Sequence, residues 1–506
     1  MTEKVPIHLM PLDETLEVEV GTPLLDILFA YGVEFPCGGE GRCRGCRIKV
    51  LDGSLPVTIA DQDALTTVEI EAGWRLACQS YAEKPMTLEI AQWEIPILSD
   101  DTRFDYEPAE GLGAAIDVGT TTLVVQLLDL SNGQVLAVKT ALNPQAIHGA
   151  DVMSRIQYAL AEGNPSRGKL TLEIREVLGN LLLGALNDTK LDSTGLRNVV
   201  LVGNTVMHHL FCGIHVEPLS HVPFEPVRDG LETLSSPELG WIGCGDPDVH
   251  FLPCVGGFVG SDILAGVLAT GLADSNGLSA LADLGTNGEI VVGNCENLIC
   301  ASTAAGPAFE AGRIRMGMRA ALGAITGVSL RGNQLHCHVL GNVAARGICG
   351  SGLVDAVSAG LELGSIQPNG RLSNCNGVLE LQPPVNLTQS DIRELQLAKG
   401  AIAAGLRVLL EKIGARLEDL CILYLAGAFG NYVNRHSARR IGLLEVDLEH
   451  IHPAGNTALR GAKMALLSKT LLHQTLPEVR SKIRHISLGS DPRFQELFVE
   501  NMNFPA

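Results

Sequence analysis

The sequence predicts a multidomain α/β protein: a small β-rich domain built on a metal-binding loop, followed by two related α/β lobes. Three observations carry this. The chain has 506 residues, more than one ordinary core accommodates. A cysteine loop, Cys37-Gly-Gly-Glu-Gly-Arg-Cys43-Arg-Gly-Cys46, lies near the start, with a further thiol at Cys78. The phrase Asp-x-Gly-Thr occurs at Asp117–Thr120 and again at Asp283–Thr286, about 166 residues apart, each time between two apolar runs. A repeat of that kind signals two halves of one build.

Residues 5–10 and 14–20 read as strands, the second with strict alternation, and Asp13-Glu14 supplies the turn. Thr22 as N-cap and Pro23 at the first helical position open a helix through Leu24, Leu25, Ile27 and Leu28. Further strands are expected near 47–51 and 86–91. Between them, three thiols spaced C-x5-C-x2-C and a fourth downstream suit four thiolates on a [2Fe-2S] cluster. A structural zinc also takes four thiolates, but usually on two short hooks, whereas Cys78 stands alone. Gly38, Gly39, Gly41 and Gly45 let the backbone wrap closely around an anion and turn N–H groups toward its sulfurs. Arg42, Arg44, Arg47 and Lys49 either stabilise such an anionic cluster or are solvated loop charges. On these residues the first 96 positions resemble the β-grasp domain of [2Fe-2S] ferredoxins. The resemblance implies that Cys37, Cys43, Cys46 and Cys78 hold the cluster.

Composition narrows the function. A net charge of −20 and 4% aromatic residues exclude a nucleic-acid binder, which needs basic patches and stacking rings. No run of 18 uncharged apolar residues is present to span a membrane. The start, Met-Thr-Glu-Lys-Val-Pro, has no basic region and no apolar core of a secretory signal. The remaining nine of the 13 cysteines are scattered and odd in number, which reads as reduced thiols in a cytoplasmic protein. Residues 1–96 carry 16 acids against 7 basic residues, and 97–111 carry five acids against Arg103. The latter stretch reads as an acidic linker that reaches roughly 50 Å when extended; the alternative is that it packs along the surface. If the cluster domain must travel, lengthening 97–111 leaves activity intact and deleting it abolishes activity.

From Leu112 the pattern changes to strand–turn–strand. Residues 112–275 read as one lobe and 276–506 as a second. In each, glycine permits close approach to a phosphate, turn N–H groups and threonine hydroxyls form an anion nest, and the aspartate can hold the water shell of Mg²⁺. Two ordinary Asp-Gly hairpins are the bland alternative. A third element, Cys421-Ile-Leu-Tyr-Leu-Ala-Gly427-Ala428-Phe429-Gly430-Asn431, reads as a buried strand ending in a small-residue turn on which a purine can pack. Gly455-Asn456-Thr457-Ala458 then opens a helix, and Val199–Thr205 is the counterpart in the first half.

In this order the motifs resemble the actin, sugar kinase and heat-shock chaperone superfamily. That implies two ribonuclease-H-like lobes with ATP between them. The phosphate-1 loop would be Asp117, Gly119, Thr120, Thr121 and Thr122. The phosphate-2 loop would be Asp283, Gly285, Thr286, Asn287, Gly288 and Glu289. The adenosine loop would be Gly427, Ala428, Phe429 and Gly430, with Asp117 and Asp283 facing Mg²⁺ through water.

More stretches narrow the match: Asn143-Pro-Gln145, Gly149–Ile156, Gly203–His209, Gly256–Asp262, Ser302–Glu310, Gly347–Gly352 and Thr388–Glu394. With the ferredoxin-like start they resemble the reductive activators of corrinoid proteins, over nearly the whole chain. Members usually carry a longer linker and a small middle domain before the ATPase core; here only about 15 residues intervene. The family implies ATP-dependent one-electron reduction of an inactive Co(II) corrinoid protein to Co(I), in support of methyl transfer. It implies a low-potential electron donor as a second partner, and a homodimer is a further expectation. Ser302 and Thr303 become a corrinoid-facing loop; a phosphate-side or packing role is the alternative for those small residues. His208-His209 is read as buried or capping rather than metal-binding, because adjacent helical side chains diverge. Thr388 as N-cap, Asp391 at N3, and Leu387 against Ile392 predict a core helix over Thr388–Gly414. Competing functions are an ATP-gated donor to another metalloenzyme, a metabolite kinase with a redox-sensing domain, and a nucleotide-binding scaffold with a structural metal.

Overall fold

The computed structural model describes residues 4–10, 14–28, 33, 41, 46–65, 67–90, 106–149, 151–161, 163–285, 287–318, 320, 323–373 and 376–505. Cys37, Cys43, Thr286 and the linker portion 97–105 lie outside the described residues.

The N-terminal domain is a five-stranded sheet in the order Glu14–Glu19, Lys4–Met10, Met86–Ile90, Arg47–Asp52, Trp74–Leu76. Its first and last long strands run parallel in the middle, and the other pairings are antiparallel, which is the β-grasp arrangement. Alternation sends Val5, Ile7 and Leu9 inward to meet Leu24, Ile27 and Leu28 of the helix Leu24–Leu28. That helix starts later than the sequence implies. Thr22 and Pro23 pair with Tyr81–Ala82 as a two-residue strand, and the Thr22 hydroxyl donates to Glu19 O, so Thr22 is not the cap. A helix not foreseen, Ile59–Ala64, carries its own capping box: Thr58 Oγ1 accepts from Asp61 N, and Asp61 Oδ2 accepts from Thr58 N. Asp61 Oδ1 also accepts from Leu76 N at 2.7 Å, which fixes this helix beside the strand that leads to Cys78.

Each lobe is built on a six-stranded sheet, and five strands of each share one topology; the sixth differs, Glu232–Ser235 lying antiparallel to Asp248–Phe251 in one and Ile483–His485 parallel to Leu298–Thr303 in the other. In the first lobe an antiparallel meander, Leu112–Val118, Thr122–Asp129 and Val135–Leu142, is extended by the parallel strands Leu196–Val202 and Asp248–Phe251. In the second lobe Ser279–Leu284, Gly288–Gly293 and Leu298–Thr303 form the meander, and Ile422–Ala426 and Ile451–Gly455 extend it. The repeat legible as Asp-x-Gly-Thr is therefore a repeat of the five-stranded core of each sheet, with the motif at its first turn. The helices Ser261–Thr270 and Thr457–Leu467 cross between the sheets. They share one apolar core with Val200 and Val202 from the first sheet and Leu281 and Val291 from the second. A Cβ on Gly461 would stand 2.1 Å from Ala265 O, so only glycine admits this crossing.

Within the second lobe, Ala324–Arg331 and Gln334–Val339 form a hairpin subdomain backed by the helix Gly350–Glu362. The helix Gln389–Lys412 follows, entered as expected: Thr388 and Asp391 form a capping box, and Leu387 and Ile392 are both fully buried. The C-terminal end of the linker is not loose. Glu107 N donates to Leu467 O, Ala109 N to Leu130 O, and Glu107 Oε1 accepts from Ser468 Oγ and Thr470 N. These bonds hold the Glu107 carboxyl below the usual carboxylate range. Among the described residues no helix is long and apolar enough to cross a membrane.

Candidate functional site: a carboxylate-lined nucleotide cleft and a thiolate loop

The first turn of the first lobe is held from below. Asn143 Nδ2 donates to Gly119 O at 2.9 Å, Asn143 N to Thr121 O, and Asn204 Nδ2 to Thr120 Oγ1 at 2.9 Å. Asn204 also caps the helix Thr205–Cys212 through Met207 N. Arg155, fully buried, forks beneath the same turn: its Nη2 donates to Thr120 O and its Nε to Gly149 O. Burial lowers its pKa to about 10, and no carboxylate forms an ion pair with it among the described residues. A cation placed so, under a turn of threonines, directs positive potential at whatever anion that turn holds. Thr122 opens the second strand with its side chain exposed.

The matching turn of the second lobe brings in two more carboxyl groups, and a helix of the first lobe brings a third. Asp283 ends its strand, Gly285 N donates to Asn287 O, and Glu289 is paired across the hairpin with Ser302. Asp262 enters from the N-terminus of Ser261–Thr270. Burial raises the pKa of Asp117 to about 6, against the one lowering contact from Asn456 Nδ2 at 2.9 Å. Burial and then the charge of Asp117 raise Asp283 to about 7. Asp262 and Glu289 are raised too, first by burial and then by neighbouring carboxylates. Four acids that oppose one another's ionisation form a place that a divalent cation would relieve. Among the described residues no three His, Cys, Asp or Glu side chains converge as a direct metal-holding set. Carboxylates placed so could meet a Mg²⁺ ion through its retained water shell.

The third loop differs locally from its expected form. Gly427–Tyr432 is a short helix rather than a turn. Gly427 has φ of +80°, and a Cβ there would stand 2.5 Å from Asp283 Oδ1, so the helix start is fitted against the phosphate-2 aspartate. Phe429 stacks on Phe309, with centroids 4.6 Å apart, and Gly430 packs on Leu425. Ala428 lies in the first turn of this helix. Ser302 and Thr303 also need correcting: they end the strand Leu298–Thr303 rather than lying in a loop. Ser302 Oγ donates to Glu289 Oε1 at 3.4 Å, and the buried Thr303 hydroxyl donates to Gly288 O. Both hydroxyls thus serve the phosphate-2 hairpin, and the exposed Ala304 follows them.

Of the four thiols expected to hold a cluster, the structure describes two and brings them together. Arg47 pairs with Leu76 and Ala77 N donates to Cys46 O, so Cys46 and Cys78 flank one antiparallel pair. Gln79 Nε2 donates to Cys78 Sγ at 3.8 Å, the kind of N–H···S contact that cluster thiolates receive. Two cysteines on neighbouring segments of one sheet, with an amide donor on one sulfur, fit an anionic cluster. Arg47, read as a candidate local cation, is instead bound to Glu69 at 3.0 Å and lies over the Trp74 ring. His208 and His209 are buried and neutral as expected: burial lowers them to about 3 and about 4, and His209 Nδ1 donates to Thr205 O.

Sequence reading assigned no role to Asp262, Arg155, Asn456 or Gln79. Asp262 and Arg155 stood inside quoted motifs, each a lone charge in an otherwise apolar helical run, and that isolation was the available signal. Asn456 as a helix cap was visible; its bond to Asp117 in the other lobe was not.

Comparison with known proteins agrees along the whole chain. Residues 7–83 match the 2Fe-2S iron-sulfur cluster binding domain, 112–275 the RACo middle region, and 277–506 the C-terminal domain of RACo, the ASKHA domain. The family's middle region thus coincides with the span read as the first lobe. The corrinoid activation enzyme RamQ of Eubacterium limosum is 30% identical, over 97% of this chain and 98% of its own length. The [Co(II) methylated amine-specific corrinoid protein] reductase of Methanosarcina barkeri is 27% identical over 78% of this chain and 77% of its own. A solved structure titled reductive activator for corrinoid, iron-sulfur protein superposes with a TM-score of 0.72 at 28% identity, covering 99% of this chain and 98% of that one. A ferredoxin-like sheet that carries Cys46 and Cys78, two sheets with one five-stranded core topology, and these full-length relatives place the chain in the family of reductive activators of corrinoid proteins.

Proposed function

We propose that this protein returns a corrinoid protein from Co(II) to Co(I) by one-electron transfer driven by ATP. The carrying observation is the union, in one chain, of a thiolate pair on a β-grasp sheet with a nucleotide cleft lined by Asp117, Asp262, Asp283 and Glu289. Cys37, Cys43, Cys46 and Cys78 would hold a [2Fe-2S] cluster, which supplies a one-electron carrier near −400 mV, roughly. Reduction of a corrinoid Co(II) is harder still, so the transfer needs coupling to a second free-energy source. Thr120, Thr121, Thr122 and Asn287 would donate to the phosphates, with Arg155 beneath. Asp117 and Asp283 would accept hydrogen bonds from the water shell of Mg²⁺, and Gly427–Gly430 would seat the adenosine. Asp262, beside Asp117 and Asp283, would orient a water at the terminal phosphate. Lobe closure then favours the corrinoid partner in one cobalt state over the other, which is the only way that a nucleotide can shift such an equilibrium. Ser302 and Thr303, whose hydroxyls are both used within the Gly288–Glu289 hairpin, would act on the phosphate side rather than meet the corrinoid.

The test is anaerobic. Cluster-loaded protein is mixed with a chemical reductant, MgATP and a Co(II) corrinoid protein, and the Co(I) absorbance is followed. The band should grow only with ATP. No Co(I) with reductant and ATP together would sink the proposal, and equal Co(I) without ATP would remove its coupling step.

A further inference from the structure

The cluster-bearing domain is seated on the second lobe at a surface that ends on the adenosine helix. Asn342 Nδ2 donates to Thr22 Oγ1 at 3.2 Å. Asn342 stands in the left-handed backbone region, with φ of +49°, which asparagine tolerates better than most residues and which sets the side chain toward Thr22. Thr22 is 1% exposed, and its hydroxyl is satisfied on both sides, donating to Glu19 O while accepting from Asn342. The short helix Leu24–Leu28 lies against Leu340–Asn342. Tyr432 packs into the apolar core of the N-terminal domain, the same cluster that contains Cys46, Trp74 and Cys78.

Tyr432 is also the last residue of the helix Gly427–Tyr432. Six helical residues span about 9 Å. One end of this helix touches Asp283, its middle stacks Phe429 on Phe309 beside the Ser302–Glu310 stretch, and its far end touches the cluster domain. The tether has its root on the same lobe. Glu107 is clamped to Leu467, Ser468 and Thr470 before the chain turns into the first lobe at Leu112.

We propose that the domain of residues 1–96 docks on the second lobe through Thr22 and its core against Asn342 and Tyr432. Nucleotide at the Gly427 end of the Gly427–Tyr432 helix is then felt at the Tyr432 end as a change in that dock. The proposal rests on the nucleotide assignment of the cleft. It adds a surface within the chain through which the cleft and the cluster domain communicate. Coupling of this kind is reciprocal, so a dock weakened at Tyr432 also alters nucleotide affinity.

Amide hydrogen exchange on the full-length, cluster-loaded chain tests it at peptides covering Thr22–Leu28 and Leu340–Val343. Tyr432→Ala and, from the opposite side, Asn342→Ala should each raise exchange at both peptides by about tenfold, the size expected when one local contact is lost. Circular dichroism matching the parent shows that a variant is folded. Mg²⁺ with a non-hydrolysable ATP analogue should change exchange at the same peptides in the parent chain and leave Tyr432→Ala unmoved. Unchanged exchange in both folded variants would overturn the dock. A parent chain that binds the analogue by equilibrium dialysis yet shows no change at these peptides would overturn the coupling. Failure to bind the analogue at all would contradict the cleft assignment instead, and the variant comparison without nucleotide still decides the dock.

Discussion

Gln79 follows Cys78, one of the four proposed cluster ligands, and its side-chain amide turns back to the Cys78 sulfur. A donor on a thiolate draws charge from the iron and raises the midpoint potential. Gln79→Leu should therefore shift the potential downward with the cluster intact, read by potentiometric titration of its reduced-state EPR signal. Arg155 acts at the other site. Its buried guanidinium satisfies Thr120 O and Gly149 O, so removal leaves those part-buried carbonyls without their donor. Arg155→Met should cost about 2–4 kcal/mol of stability, measured by denaturant unfolding. It should weaken ATP binding more than Arg155→Lys, which keeps the charge and loses the fork. A variant that binds ATP as the parent does would show that Arg155 only fills space.

The crossing of Ser261–Thr270 and Thr457–Leu467 is the element on which both lobes turn. Gly461→Val inserts branched carbon where Ala265 O already stands, and overpacking of this sort costs about 3 kcal/mol. A lower melting temperature, with the N-terminal domain's cluster spectrum unchanged, would locate the damage in the crossing. Elements of this kind divide what was legible in the sequence from what was not. The strands, the Thr388 capping box and the twin Asp-x-Gly-Thr turns were readable, because period, caps and repeats are local signals. The helix at Ile59–Ala64 was not foreseen, although Thr58 and Asp61 carry its capping signal. Thr22 was misread as a cap because its hydroxyl is claimed by Glu19 O and by Asn342, 320 residues away. Ser302 read as loop because small residues surround it, yet its strand is fixed by pairing with Glu289, and that pairing is a tertiary fact. Asp262 escaped assignment for the same reason: its company of Asp117 and Asp283 exists only after the lobes assemble.

At the scale of the molecule, the cleft acids tie stability to pH and to metal. Asp117 and Asp283, at about 6 and about 7 in the folded chain, keep protons that carboxyls of ordinary pKa 3.8 have lost when unfolded. A raised folded pKa gives stability that is whole at low pH and drains as pH climbs through the folded value. His208 and His209 work the other way, since their lowered pKa values cost stability only below the ordinary 6.5. Above about pH 6.5 the acids act alone, so the metal-free melting temperature should go on falling to about pH 8, the folded value of Asp262, and flatten when Mg²⁺ and nucleotide are added. A flat profile without metal would mean that the four acids do not share one field. The central claim is that nucleotide in the cleft drives an electron from the N-terminal cluster to a corrinoid cobalt. The most direct measurement is a single turnover: the cluster is reduced stoichiometrically, the reductant is removed, and a Co(II) corrinoid protein is added with and without MgATP. The account predicts that cluster oxidation and Co(I) absorbance appear together, one electron for one cobalt, and only with ATP. Cluster oxidation without Co(I), or Co(I) formed equally without ATP, would contradict it.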